Sequence, residues 1–271
     1  MIIAVDDASD SRLDPFRWKD RQLASTLQRR EAIGAGLFVA EGDLVVERAI
    51  ALGFTPVALL CDTAMGEKLS MLLPEVDVYV GPEDVRRDVT GLGVPLKATG
   101  LFQRPPLADP DTLMTASQSI VIAEAIDNPT NLGVIVRSAA ALGWDAIILD
   151  HSCADPLARR ALRVSMGTGL AVKFARLSPS DSIASLLTRH HVVSYALTPD
   201  PDAININSVS MRPADRIALL LGSERDGLTP TAMVTATHMV RIAMHSGVDS
   251  LNVGAAAAIA LHALGPNSHQ L

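Results

Sequence analysis

Residues 241–264 read RIAMHSGVDSLNVGAAAAIALHAL, and the fold turns on how that stretch is parsed. Arg241 to Met244 has the length and apolarity of a short strand. A polar loop, His245 to Asp249, follows, then Ser250-Leu251-Asn252-Val253 and an Ala-rich helix ending at Leu264. Asp249 or Ser250 is placed to cap that helix, because a short side-chain oxygen can accept from the free amides of a first turn. A helix so rich in small residues implies that other backbone approaches it closely. Asn252 is the anomaly, a full amide at the start of an apolar helix. Either it bonds local backbone or it has partners elsewhere, since an amide buried without them costs about 1–3 kcal/mol.

Upstream of this stretch the chain alternates between strand and helix patterns. Ile120 to Ala123, Ala146 to Leu149, Val192 to Leu197 and Ile217 to Leu221 read as strands. Leu132 to Leu142, Pro156 to Met166 and Ser180 to Arg189 read as helices. Such alternation predicts an α/β fold with a mostly parallel sheet covered on both faces. Arg104-Pro105-Pro106 with Asp109-Pro110 marks a linker. Before it lies a smaller α/β unit, with strands at Leu37 to Ala40, Pro56 to Leu60 and Val76 to Val80. Helices are expected from Glu41 to Leu52, around Glu67 to Leu73 and from Pro82. Residues 1–20 are polar and charged and read as a loosely held arm; the predicted organisation is an N-terminal arm (1–16), a first domain (17–103), a linker (104–116), a second domain (117–265) and a tail (266–271).

Composition narrows the possibilities. Of 271 residues, 48% are hydrophobic and only 3% aromatic, which argues against base-stacking platforms. The net charge of −7 excludes a generally basic nucleic-acid magnet. The excess of acid is concentrated before residue 116, where 12 basic residues face 18 acidic ones; the rest carries 11 against 12. A polyanion must therefore bind through local arginines. Two cysteines, Cys61 and Cys153, form neither a CxxC pair nor a disulfide framework. No apolar run approaches membrane-spanning length and the N-terminus has no basic signal region, so a cytoplasmic protein without membrane contact is expected. The histidines lack metal-ligand spacing, so no metal is expected.

Three polar segments interrupt apolar sequence where strands end and helices begin, the region in which ligand sites of open α/β sheets gather. In Asp127-Asn128-Pro129-Thr130-Asn131-Leu132-Gly133-Val134-Ile135-Val136-Arg137, Arg137 is the lone charge between Leu132 and Trp144. A guanidinium among small apolar neighbours needs a partner or an anionic ligand, unless it reaches solvent past them. Leu219 to Leu228 reads LLLGSERDGL, an apolar strand breaking into a glycine-bounded loop. Bare backbone there can grip a small ligand. The third segment is the opening stretch, with Ser250 and Asn252.

In this order, NLGVIVRSAAALG, LLLGSERDGL and IAMHSGVDSLNVGAAAAIAL resemble the three signature motifs of SpoU/TrmH-type RNA 2′-O-ribose methyltransferases of the SPOUT superfamily. The likeness spans roughly residues 118–264. FVAEGDLVVERAI, from Phe38, is similar more loosely to the ribosomal-protein-like RNA-binding domain that precedes the catalytic domain in many members. The resemblance implies a trefoil knot, S-adenosylmethionine as methyl donor and a homodimer with active sites across the subunit interface. Matched residue by residue, Gly222, Ile242, Met244 and Leu251 correspond to the cofactor-holding positions. Asn131, Arg137, Glu224, Ser250 and Asn252 correspond to the polar active-site set. Ala243 stands where the family usually has proline.

The implied substrate is RNA, ribosomal by analogy, including sites of the antibiotic-resistance type; transfer RNA or a non-catalytic assembly role are the alternatives. A ribose 2′-hydroxyl is a poor nucleophile, so the enzyme must align it and stabilise the emerging alkoxide. A neutral guanidine is costly, so Arg137 is expected to act as a cation clamping phosphate and alkoxide. Asn131 would orient Arg137 or the ribose, Glu224 and Asn252 would hold the loops or the substrate, and Ser250 would cap the last helix. Arg159, Arg160 and Arg163 are candidates for RNA docking, with Arg159 and Arg163 sharing a helix face. Arg29-Arg30 and Arg86-Arg87 are further candidates in the first domain.

Overall fold

The structure, a computed structural model, describes residues 1–24, 36–210, 216–245 and 249–266. The chain divides into two compact units. The first comprises Met1–Pro106 with Leu157–Leu170, the second Leu107–Pro156 with Ala171–Leu271.

In the first unit, β1 (Ile2–Ala4), β2 (Leu37–Glu41), β3 (Pro56–Cys61), β4 (Asp77–Val80) and β5 (Ala98–Gln103) form a sheet in the order β1-β4-β3-β5-β2. β1, β4 and β3 are parallel, and β5 runs antiparallel to β3 and β2. The predicted strands and helices before residue 91 are present. β5 escaped the sequence reading because Ala98-Thr99-Gly100 is a weak strand signal. The glycine has a packing reason, since a Cβ at Gly100 would lie 2.4 Å from Cε2 of Phe102.

Two expectations need correction in this unit. The N-terminal arm is structured: Ile2 to Ala4 pair with Val78 to Val80, and Leu13 and Phe16 are fully buried. Its charge disguised two apolar anchors, and Phe16 packs edge-on against Tyr79. Arg159 and Arg163, expected on an RNA-facing surface, instead close on Glu41, whose side chain is 1% exposed. They lie on the helix Arg159–Val164, which belongs to this unit. Arg159 donates to Glu41 Oε1 at 2.6 Å and to the carbonyls of Phe16 (2.6 Å) and Trp18 (3.0 Å), while Arg163 takes Glu41 Oε2. A buried carboxylate is tolerable only when paired, and here both oxygens are claimed. Arg86 is buried as well and bonds the carbonyls of Gly81 and Leu96.

The second unit is built on β6 (Ser119–Ala123), β7 (Ala146–Leu149), β8 (Lys173–Arg176), β9 (Val193–Leu197), β10 (Ile204–Asn205), β11 (Ile217–Leu221) and β12 (His238–Arg241). All pairings are parallel, in the order β10-β12-β9-β11-β6-β7-β8. β6, β7 and β11 are buried at every residue, as continuous apolar runs require in a sheet covered on both faces. One face carries the helix Pro129–Ala141 and the last helix, Val253–Ala263. The other carries Ile183–His190, Pro230–Thr235 and Pro110–Ala116. The last of these lies inside the predicted linker. Asp109, read as part of that linker, accepts from Thr112 N and starts the helix.

The small residues of the last helix meet the helix Pro129–Ala141. A Cβ at Gly254 would stand 2.9 Å from Val134 Cγ1, so glycine permits this approach. Trp144 Nε1 donates to the Leu261 carbonyl at 3.0 Å and pins the far end. β12 lies three residues before its predicted place, because Ile242 and Met244 are apolar for a reason other than strand pairing.

Replacing Glu41 with alanine strands two arginines in the first unit. It is expected to lower the unfolding free energy by about 3 kcal/mol, a fall of about 6–12 °C in thermal midpoint. Calorimetry showing a loss below about 1 kcal/mol would mean that both guanidinium groups escape to solvent.

Candidate active site

β9, β11 and β12 end side by side, and a cavity of about 630 Å³ opens beyond their carboxyl ends. Leu197 and Leu221 are the last residues of β9 and β11, and Ile242 follows β12 directly. This is the end of a parallel sheet where ligands are expected.

A hairpin forms one wall. Ser223 and Gly227 exchange backbone hydrogen bonds at 3.2 and 3.1 Å, and Asp226 N donates to Ser223 Oγ at 3.0 Å. Gly227 has φ +68°, which disfavours any side chain. Gly222 is required by proximity, since a Cβ there would fall 2.1 Å from the Gly227 carbonyl carbon. Glu124, at the end of β6, accepts from Thr229 N (2.8 Å) and Thr229 Oγ1 (3.0 Å) and so anchors the exit of the hairpin. Sequence reasoning passed over Glu124, although a lone carboxylate directly after a buried strand is a usable signal. It also missed Thr198 and Pro199, which line the cavity after β9.

Asn252 joins the walls. Its Nδ2 donates to Asn131 Oδ1 at 3.1 Å and to Glu224 Oε1 at 2.6 Å. Its Oδ1 accepts from Gly254 N (3.0 Å) and Ala255 N (3.3 Å), making Asn252 the N-cap of the last helix. The expected cap at Asp249 or Ser250 is therefore corrected. The helix begins at Val253, so only Asn252 sits at the half-in position from which a side chain reaches the first free amides.

Of the predicted polar set, Asn131, Glu224 and Asn252 come together. Asn131 is buried, held in the first turn of a helix capped by Asn128. Ser250 is exposed on the cavity wall, as are Leu251 and Asn252. Gly222, Ile242 and Met244 also line the cavity. Arg137 does not. It is exposed on the helix Pro129–Ala141, six residues past Asn131, which places it about 9 Å further along the axis.

The loop after β7 is held by a brace of buried and half-buried groups. Arg176 donates to the carbonyls of Asp150 (2.9 Å), Cys153 (2.8 Å) and Ala154 (2.8 Å), fixing the loop after β7. Burial opposes the charge of Asp150, but hydrogen bonds from Ser152 and Cys153 outweigh it and hold the carboxyl below the usual range. Burial pushes the Cys153 thiol up, and the Cys61 thiol to about 12, so neither is a nucleophile near neutral pH. Among the described residues no group of three or more His, Cys, Asp or Glu is placed to hold a metal ion, and no helix is long and apolar enough to cross a membrane. Arg160 is exposed, Arg87 is paired with Asp88, and Arg29-Arg30 lie outside the described residues.

Residues 118–262, the segment that contains this cavity and its three converging loops, match the SpoU rRNA methylase family. The chain belongs to that family. An uncharacterized tRNA/rRNA methyltransferase of Mycobacterium tuberculosis is 36% identical to it over 276 residues, covering 98% of this chain and 93% of that protein. A 23S rRNA (guanosine(2553)-2′-O)-methyltransferase of Bacillus subtilis is 22% identical, covering 87% of this chain and 91% of that one. The crystal structure of an AdoMet-bound rRNA methyltransferase from Sinorhizobium meliloti shares the fold over 100% of this chain and 99% of that one, with a TM-score of 0.81 at 23% identity. In this SpoU-family protein the three signature segments meet at the Asn252 amide.

Asn252→Asp tests that junction. The variant keeps the cap but sets a carboxylate against Glu224 and Asn131 Oδ1. Like charges raise folded-state pKa values, so the folded variant binds more protons than the unfolded chain above about pH 4. Its stability relative to wild type is thus expected to fall as pH rises from 4 to 7 and to recover at the acid end, measured by thermal melts across that range. A pH-independent difference would contradict the contact.

Proposed function

We propose that the protein transfers the methyl group of S-adenosylmethionine to a ribose 2′-hydroxyl of RNA, and that this RNA is ribosomal. The observation that carries the reading is the Asn131–Asn252–Glu224 junction at the rim of the β9/β11/β12 cavity. The relative from B. subtilis, which is matched over 87% of this chain and whose name specifies 23S rRNA and a 2′-oxygen, supports the substrate class.

The residues present fit the methyl donor. Leu251 is 39% exposed and Ile242 and Met244 are half-buried, so apolar side chains face open space beside the polar Glu224 and Ser250. Such a wall suits a ligand with an apolar ring and a charged tail. Backbone at Gly222 and Leu251 would hold it, and Ile242 and Met244 would cover the ring. When bound it supplies a sulfonium methyl, which is already a strong electrophile.

The chain's own task is therefore to place and activate the hydroxyl. Glu224 Oε1 is engaged by Asn252, and Oε2 makes no hydrogen bond to the described residues, leaving it to receive a ribose hydroxyl. Asn252 holds that carboxylate in place, and its bond to Asn131 keeps the helix Pro129–Ala141 fixed relative to it. Ser250, no longer needed as a cap, is free to touch substrate. Arg137, outside the cavity of its own chain, is assigned to a site completed by a second copy, where its cation would clamp phosphate and the emerging alkoxide.

The test uses purified protein, methyl-labelled S-adenosylmethionine and ribosomal and transfer RNA from cells lacking the gene. Label is expected in ribosomal RNA as alkali-stable dinucleotides, because a 2′-O-methyl group blocks hydrolysis at its own phosphate. Arg137→Ala is expected to lower kcat by about 100-fold or more, with Arg137→Lys only partly restoring it. Label released as single base-methylated nucleotides, or confined to transfer RNA, would overturn the corresponding part of the reading.

A further inference from the structure

Among the described cations of the second unit, most are committed to the chain's own oxygens. Arg176 takes three carbonyls, Arg189 takes Asp111, Arg216 takes the carbonyls of Met114 and Ser117, and Arg241 takes that of Ala203. Arg225 is different. It is exposed, it lines the cavity, and its guanidinium makes no hydrogen bond or ion pair with the described residues.

Its backbone is nevertheless part of a hydrogen-bonded hairpin. Arg225 lies at the tip of the Ser223–Gly227 hairpin, next to Glu224, which Asn252 holds, and next to Asp226, whose N–H is held by Ser223 Oγ. Among the described residues the cavity lining contains no other lysine or arginine, and its other ionised groups are the carboxylates of Glu224 and Asp226. An anion entering this rim, on a chain of net charge −7, meets the carboxylates of Glu224 and Asp226, and among the lining residues of its own chain Arg225 alone attracts it. A guanidinium presents a planar fork of donors that matches two phosphate oxygens at once.

We propose that Arg225 is the phosphate clamp of the cavity rim, binding an RNA backbone phosphate next to the nucleotide that is methylated. The inference rests on the RNA methyltransferase reading and names a substrate contact additional to the polar set joined by Asn252. Arg225 contributes nothing to the fold, so its removal should change substrate binding alone.

The experiment compares wild type, Arg225→Ala and Arg225→Lys by three readouts: binding of a short mixed-sequence single-stranded RNA across a salt series, calorimetric binding of S-adenosylmethionine, and thermal midpoint. For Arg225→Ala, RNA affinity at low salt is expected to fall about tenfold. The slope of log K against log salt should become shallower by about 0.7, the value for one phosphate on a single strand. Arg225→Lys should keep the slope and recover only part of the affinity. Cofactor affinity and thermal midpoint should match wild type throughout. An unchanged salt slope would overturn the proposal, whether cofactor affinity fell (a contact to the methionine carboxylate) or stayed the same (a solvent-facing charge). A lowered thermal midpoint would also overturn it by showing a role in the fold. Wild type that neither bound RNA nor methylated it would sink the function reading itself, an outcome distinct from normal binding and turnover with a silent Arg225.

Discussion

A primary amide has two N–H donors and an oxygen with two lone pairs, and the side chain of Asn252 uses all four. The oxygen faces the first amides of the last helix, and the nitrogen faces Asn131 and Glu224. The group cannot turn over, because a flip would aim N–H groups at helix N–H groups and oxygen at oxygen. Three segments far apart in sequence therefore have one relative placement at the rim. Aspartate can supply the cap but neither donor, and serine is too short to do both. The polar residue at the start of an apolar helix is thus a consequence of geometry, with local capping and long-range bonding both satisfied by the same atoms.

The sheet decides where that junction falls. In a parallel sheet the loops after the strands share one end, so the exits of β9, β11 and β12 become neighbours whatever their separation in sequence. Gly222 and Gly227 let the hairpin fold tightly back on itself, and Glu124 ties its exit to the end of β6. With the walls fixed from behind, the residues facing the opening are released from structural duty. That is why Ile242, Met244 and Leu251 can remain partly exposed although apolar.

Much of this was legible in the sequence. Continuous apolar runs located β6, β7, β9 and β11, and polar interruptions at their ends located most of the cavity wall. What stayed hidden had identifiable causes. β5 carries a glycine, β8 is short and charged at both ends, β12 was displaced by apolar residues whose role is to face a cavity, and Asp109 read as part of a linker although it caps a helix. Arg159 and Arg163 share a helix face, as spacing indicated, but spacing could not show that Glu41, more than a hundred residues earlier, occupies that face. Long-range partners of charged groups depend on tertiary placement, which periodicity does not encode. The same limit applies to Asn252: its need for partners was readable, their identity was not.

The central claim is that Asn252 and Glu224 act as one unit in shaping the cavity. A double-mutant cycle on S-adenosylmethionine affinity, with Asn252→Ala, Glu224→Ala and the pair, tests it most directly. Groups in direct contact within one network show coupling of about 0.5–3 kcal/mol. The structure predicts that the double variant binds hardly more weakly than the worse single variant, with coupling of at least about 1 kcal/mol. Effects that add to within about 0.3 kcal/mol would contradict it.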